Sequence, residues 1–282
     1  MIVGIAYSIN DAAGRGAAEK LVSMLRCSEV RIDRAVRGLR CLGSGFVAYI
    51  AGFHEDVLYL EFLDTVMPSE IEFYIVLSRH SARSAIPSLT VHTPGNPWHR
   101  ADAGGSPWEV PLANPIFMWY ALKALKELRE SSKLNNFEVC YEVTHHGPTS
   151  PLKPITFVEI GSSEREWHLE EAHRVLAEGV RIALEELANT RGKPCKVSVG
   201  FGGPHYAPVF THRALKYGEC YGHILASYVL KDLSPEDLAR ACSLVIDRTP
   251  DRDQVVIEKI KSAYRRVIEE IARGKGVEVT RL

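Results

Sequence analysis

Residues 142–166 read EVTHHGPTSPLKPITFVEIGSSERE, and the rest of the chain is read outward from this stretch. An apolar run ends in the adjacent pair His145-His146 and is broken by Gly147-Pro148. A second strand-like run, residues 155–160, carries Glu159 up to the turn Gly161-Ser162-Ser163, and a helical pattern begins at Glu164. Proton-handling groups therefore gather at two strand ends, where open α/β sheets keep their sites.

Outward from it, strand-like and helix-like runs alternate. The first strand spans residues 2–7, and Asn10 or Asp11 is placed to cap a helix from Ala12 that turns Ala17, Leu21 and Leu25 inward. Further strands are predicted at residues 46–50, 57–60, 71–77, 89–93, 137–143 and 196–199, with helices at 114–131, 164–188, 235–245 and 254–272. Residues 97–111, rich in Gly, Pro and Trp, read as a long surface loop of the kind that often carries function. The alternation predicts an α/β layered fold with a mixed, largely parallel sheet. It predicts one compact domain, or two interwoven lobes, over residues 1–282.

Composition narrows the class. The chain is 46% hydrophobic and 24% charged, ordinary for a globular protein with a sizeable core. No basic-then-apolar leader precedes the first strand, and no apolar run reaches the roughly 18 residues of a membrane span, so a cytoplasmic protein is expected. The net charge of −1 does not point to nucleic acid. Residues 191–282, however, hold 16 Lys+Arg against 11 Asp+Glu, and this basic C-terminal third is the part suited to phosphates. The six cysteines show no C-x-x-C pair, which argues against a zinc ribbon and predicts reduced, buried side chains. Disulfides would be expected only in a hyperthermophile.

Four stretches put histidine where a strand-like run meets a polar or Gly/Pro break: His80, His92, the His145-His146 pair and His205. Imidazole so placed acts as general acid or base near neutral pH, or ligates a metal. The argument is their convergence, since His54, His99, His168, His173 and His212 each read singly as surface or border residues. On extended backbone His145 and His146 would face opposite ways, leaving one of them structural unless the strand has already turned. No H-E-x-x-H is present, so a helix-borne zinc site is excluded.

Two carboxylates stand out. Glu142 lies three residues before His145, while Glu159 sits in an apolar strand where an unpaired charge is costly and a histidine or metal partner is needed. Glu164 suits the N-terminus of its helix. The turns Gly161-Ser162-Ser163 and Gly202-Gly203-Pro204 offer backbone N–H groups to a carboxylate, phosphate or oxyanion. Ser162 or Ser163 as a nucleophile is the rival reading, weakened by the absence of G-x-S-x-G. The small residues Ala12, Ala13, Gly14 and Gly16 look like a phosphate-binding turn but lack both Lys-Ser/Thr and a full G-x-G-x-x-G.

At these motifs the chain resembles the archaeal and plant type of D-aminoacyl-tRNA deacylase. The likeness rests on Tyr141-Glu142-Val143-Thr144-His145-His146-Gly147-Pro148, on residues 157–164 from Phe157 through Glu159, and on Gly200-Phe201-Gly202-Gly203-Pro204-His205-Tyr206. The N-terminal strand with Asn10-Asp11 and residues 91–96 fit too, so the likeness covers nearly the whole chain. It implies a three-layer, phosphorylase/hydrolase-like α/β/α fold and hydrolysis of the ester joining a D-amino acid to tRNA. It also implies zinc dependence, with two Zn2+ ions per chain.

The roles assigned within that frame are these. His145 or His146 with Glu159 forms a base and its orienter, or metal ligands. His80, His92, Glu142 and His205 complete the metal sphere or hold substrate. Gly147, Pro148, Gly161, Ser162, Ser163, Gly202 and Gly203 line the substrate site, with the Gly-Pro pairs rigid enough to reject one hand at the α-carbon. The tRNA is expected on the basic third, and the protein is expected to be a monomer. The alternatives are a peptidyl-tRNA hydrolase-like or zinc exopeptidase-like enzyme and, less favoured by the sparse basic and aromatic surface, a non-catalytic tRNA-binding protein.

Overall fold

The computed structural model of the chain describes residues 1–82 and 85–282. From the N-terminus, β1 (Ile2–Ser8) leads through α1 (Ala12–Ser23) into β2 (Arg26–Glu29), β3 (Arg37–Leu42) and β4 (Val47–Phe53). A 3₁₀ turn at Val57–Tyr59 and α2 (Leu63–Val66) precede β5 (Phe73–Ser81) and β6 (Ser88–His92). Next come α3 (Pro115–Glu130), β7 (Glu138–Tyr141), β8 (Ile155–Ser162), α4 (Glu164–Trp167) and α5 (Glu170–Asn189). The last third holds β9 (Lys196–Phe201), α6 (Pro208–Tyr217), β10 (Glu219–Leu225), α7 (Ser227–Asp232) and α8 (Pro235–Asp247), then β11 (Gln254–Ile257), α9 (Ser262–Gly274) and β12 (Glu278–Arg281).

Eight strands form one mixed sheet in the order β2-β3-β4-β1-β5-β8-β6-β7, and four form an all-parallel sheet, β10-β9-β11-β12. Period-two alternation sorts the large sheet's faces. Ile5, Ile75, Leu77, Val158 and Ile160 join the main core with the buried faces of α1, α3 and α5. Ala6, Tyr74, Val76 and Phe157 point the other way, into a smaller core closed by Val57, Leu60, Leu63 and Met67. That second cover is thin, and the sheet face beyond it is where the polar residues collect. The main core continues into the small sheet through Val199, Phe201, Tyr221 and Val255, so a single apolar interior joins both sheets.

The α/β class is as expected, and several elements differ from the sequence reading. Residues 57–59 form a 3₁₀ turn rather than a strand, because the Asp56 carboxylate accepts the Leu58 N–H and starts a helical turn. Residues 254–257 are a strand: Gln-Val-Val-Ile is β-branched and fits fully buried between β9 and β12, so only the latter part of 254–272 is helical. The long helix predicted at 164–188 divides at His168 into α4 and α5, with the His173 ring bonded to the Trp167 carbonyl across the break.

The cysteines depart from expectation as well. Cys27 pairs with Cys41 and Cys195 with Cys220, leaving Cys140 and Cys242 as the buried thiols. The reason is register. Cys27 lies directly opposite Cys41 on the antiparallel β2–β3 pair, and Cys195 and Cys220 flank the start of the β9–β10 pairing.

Candidate active site

The site is built on a grid of three strands. Parallel pairing of β5 with β8 sets Val76 opposite Phe157, Ser78 opposite Glu159 and His80 opposite Gly161. Antiparallel pairing of β6 with β8 adds His92, Thr90 and Ser88 to the same three rows. Opposed residues project from the same face, so apolar Val76 and Phe157 give way along each strand to Ser78 and Glu159, then to His80. Gly161 completes the grid because a Cβ there would lie 2.4 Å from Ser88 Oγ and 2.9 Å from the His80 ring.

A second wall comes from residues 142–146, which leave β7 and dock on the small sheet. The Val143 N–H donates to the His205 carbonyl at 3.1 Å and that of Thr144 to the Ile224 carbonyl at 2.8 Å. His146 takes φ 49°, a left-handed backbone that costs a non-glycine residue about 1 kcal/mol or more. That turn removes the extended alternation. Both rings face one side, with centroids 4.3 Å apart and 4.6 and 4.9 Å from the His92 ring.

Seven predicted residues thereby converge: His80, His92, Glu142, His145, His146, Glu159 and His205. Glu142 Oε2 accepts from His205 Nε2 at 2.8 Å and lies 3.5 Å from His145 Nε2, while its Oε1 is 3.2 Å from His80 Nδ1. Glu159 Oε1 accepts from Ser78 Oγ at 2.8 Å, and its Oε2 lies 3.5 Å from His80 Nδ1 and 3.7 Å from His92 Nε2. Among the described residues, potential ligand atoms within 4.8 Å of one another come from His92, His145 and His146, from His80, Glu142 and His205, and from His92, Glu142 and Glu159.

The tautomers of the paired histidines follow from their neighbours. His145 Nδ1 donates to the Val143 carbonyl at 2.8 Å and His146 Nδ1 to the Gly147 carbonyl at 2.7 Å. A carbonyl can only accept, so in the neutral rings each Nε2 keeps its lone pair. Burial, then the neighbouring imidazoles, push His145 well below the usual histidine range; burial and His92 take His146 to about 4. Burial also disfavours charge on His80 and His92, but the carboxylates outweigh it and raise both. Burial likewise opposes ionisation of Glu142 and Glu159, and the surrounding histidines overcome it, holding Glu159 well below the ordinary carboxylate range.

A cleft of about 330 Å3 opens beside the cluster, lined by His80, His145, His146, Glu159 and His205 and also by Asp11, Asp56 and Arg79. The glycine turns expected to line the substrate site are not part of this cleft's lining. Gly147 is packed under backbone at Gly104, Gly105 and Leu58, and Gly202 and Gly203, at φ 117° and 75°, back onto Glu258. Gly147–Pro148 and Gly161–Ser162 are cis. Ser162 Oγ is buried, and Ser163 Oγ donates to Glu166 Oε2, so neither hydroxyl reaches the cleft. The small residues of α1 have a packing reason: a Cβ on Gly14 would lie 2.3 Å from the Leu77 carbonyl oxygen, and one on Gly16 would strike the His173 ring.

Sequence reading missed Asp11 and Tyr206 as parts of this site. Asp11 caps α1, accepts the Arg79 N–H at 2.7 Å and reaches the cleft; its Asx-before-helix pattern signalled only the cap. Tyr206, the neighbour of His205 in sequence, places its hydroxyl 3.0 Å from His80 Nε2. In the basic third, Lys193, Lys196, Arg213, Arg252, Arg265, Lys275 and Arg281 are paired with carboxylates of that same third.

Comparison with known proteins identifies the family. Residues 67–280 match the family model described as D-aminoacyl-tRNA deacylase. The chain is 37% identical over 280 residues to the D-aminoacyl-tRNA deacylase of Staphylothermus marinus, covering 98% of each protein. It is 38% identical to that of Desulfurococcus amylolyticus, covering 99% of each. A crystal structure of a conserved protein of unknown function, AF0625, superposes with a TM-score of 0.86 at 31% identity over 99% of this chain and 95% of that one. With a family model over most of its length and relatives matched nearly end to end, the chain belongs to the D-aminoacyl-tRNA deacylase family.

Proposed function

We propose that this chain hydrolyses the ester linking a D-amino acid to tRNA, releasing free tRNA and the amino acid. The observation that carries the reading is the pair of neutral, orientation-locked imidazoles, His145 and His146, set against two buried carboxylates at the edge of a cleft. The names of the relatives agree with it. An aminoacyl ester is activated, so attack by water suffices and no covalent nucleophile is needed.

The Nε2 of His145 or His146 accepts the proton of the attacking water, since both rings are unprotonated at neutral pH. The positive charge that develops on His145 is met by Glu142 Oε2 at 3.5 Å. The same imidazolium returns the proton to the ribose hydroxyl as it leaves. Glu159, with Ser78 fixing its orientation, holds His80 and His92 in place.

The donor set suits zinc. Both ring nitrogens of His92 are buried without a hydrogen-bond partner, and His145 and His146 bring Nε2 lone pairs alongside. His80, Glu142 and His205 would hold an ion and leave the paired histidines free as base; an ion on His92, His145 and His146 would take up those lone pairs and stand in for the imidazole base. Bound zinc would polarise the carbonyl and lower the pKa of water.

The deciding assay is deacylation of D-Tyr-tRNA and L-Tyr-tRNA in parallel, with and without a chelator. The reading expects turnover of the D-ester, little of the L-ester, and loss with chelation that zinc restores. Equal rates on both hands, or comparable cleavage of free peptide amides, would point instead to a general hydrolase.

A further inference from the structure

The substrate ester has two halves of opposite charge, and two cavities meet at the reacting cluster. The acyl half carries an α-ammonium; the alcohol half is a nucleoside followed by phosphodiesters. The cleft of about 330 Å3 is lined by Asp11, Asp56 and Glu159, with Arg79 as its cation 3.3 Å from Asp56 Oδ2. A larger cavity of about 750 Å3 shares Ser81 and His205 with it. Val139, Pro204, Pro208 and Leu215 give this cavity an apolar wall, and α3 supplies two cations, Lys126 and Arg129. One helical turn apart, these two present their charges on the same face.

Arg129 is the informative residue. Its Nε is buried and has no hydrogen-bond partner among the described residues, and its side chain lines the cavity. Lys126 lies 3.3 Å from Glu130 in an exposed pair, and Glu138, also exposed, is the carboxylate lining the cavity. An apolar wall beside an Arg129 that no described carboxylate pairs suits a base and its phosphate better than an α-ammonium, which would find exposed Glu138 as the carboxylate of the lining.

Building on the proposed function, we infer that the larger cavity receives the 3′-terminal nucleotide of the tRNA. The base lies against the apolar wall and the phosphate meets Arg129 and Lys126, while the acidic cleft takes the aminoacyl group. The ester then spans His205, with its carbonyl beside Glu142 and the paired histidines.

The test uses the full-length protein, with the trinucleotide CCA and D-tyrosinamide as probes of the two halves. CCA should compete with D-Tyr-tRNA and bind directly in calorimetry. Arg129→Ala should raise KM for D-Tyr-tRNA about tenfold with little change in kcat, as expected for a lost charge-assisted contact. Its dependence of log KM on log salt should flatten by about one unit, the mark of a lost phosphate contact. Arg129→Glu should weaken CCA binding further, and Lys126→Ala should act in the same direction. Unchanged KM and salt slope in Arg129→Glu would overturn the inference. So would variants that weaken D-tyrosinamide but not CCA, which would put the acyl half in this cavity. A wild-type protein that binds CCA yet hydrolyses no D-aminoacyl-tRNA would refute the proposed function and leave the cavity's assignment standing.

Discussion

Replacing Glu159 by Gln tests its charge in isolation, because the amide keeps the size and shape of the side chain. Glu159 is 3% exposed, and its carboxylate lies near both Glu142 and two imidazoles. The amide keeps the acceptor for Ser78 Oγ and the shape of the side chain, so the grid of β5, β8 and β6 persists. It removes the anion 3.5 Å from His80 Nδ1 and 3.7 Å from His92 Nε2. Losing one such charge-assisted contact is worth about 1.5–3 kcal/mol, and about 3 kcal/mol corresponds to roughly a hundredfold in rate. Stability should fall as well, because the histidines that hold the Glu159 carboxyl below its usual range lose the charge that stabilises their protonated forms. The assay is kcat/KM on D-Tyr-tRNA beside the thermal midpoint of chelator-treated protein. Wild-type turnover in Glu159→Gln, measured below both thermal midpoints, would refute the assignment, and an unchanged midpoint would refute the account of its charge.

Three further outcomes follow from other parts of the molecule. His223 is fully buried between Thr144 Oγ1 and the Pro111 carbonyl, and burial lowers its pKa to about 4. Unfolded, it protonates near 6.5, so its contribution is intact above that pH and about 3 kcal/mol is lost as pH falls towards 4. His223→Gln should therefore show a shallower acid loss of stability, and an identical slope would count against the account. Gly14→Ala should destabilise by about 1–3 kcal/mol despite better helix propensity, because its Cβ meets backbone; an unchanged urea midpoint would contradict it. Reducing Cys195–Cys220, which closes a separation of 25 residues, should cost about 3 kcal/mol and lower the thermal midpoint measurably. Cys195→Ser with no change in midpoint would refute that.

Much of the candidate site was legible in the sequence because its residues come in local patterns: strand-like runs, breaks and the histidines between them. The arrangement of β6 was not. Its antiparallel insertion carries His92 beside Phe157, in the middle of β8, where a strand-end argument does not look. The turn at His146 was equally hidden, since nothing in the residue type announces a positive φ. The small sheet was under-read because β10 and β12 gain their strand character from partners far along the chain. Tyr206 and Asp11 were visible as neighbours of motif residues, but only the fold gives their side chains a role.

The docking of residues 142–146 on the small sheet has a consequence for how this protein fails. His205 and Tyr206 belong to the loop after β9, whereas His80, His92 and Glu159 belong to the large sheet. The cluster therefore straddles a seam stitched by the Val143 and Thr144 amides and the His205–Glu142 contact. A sub-global opening along that seam would dismantle the cluster while the three-strand grid stayed intact, at less cost than unfolding the whole chain. Competence for chemistry is then a property of the pair of sheets rather than of either one alone.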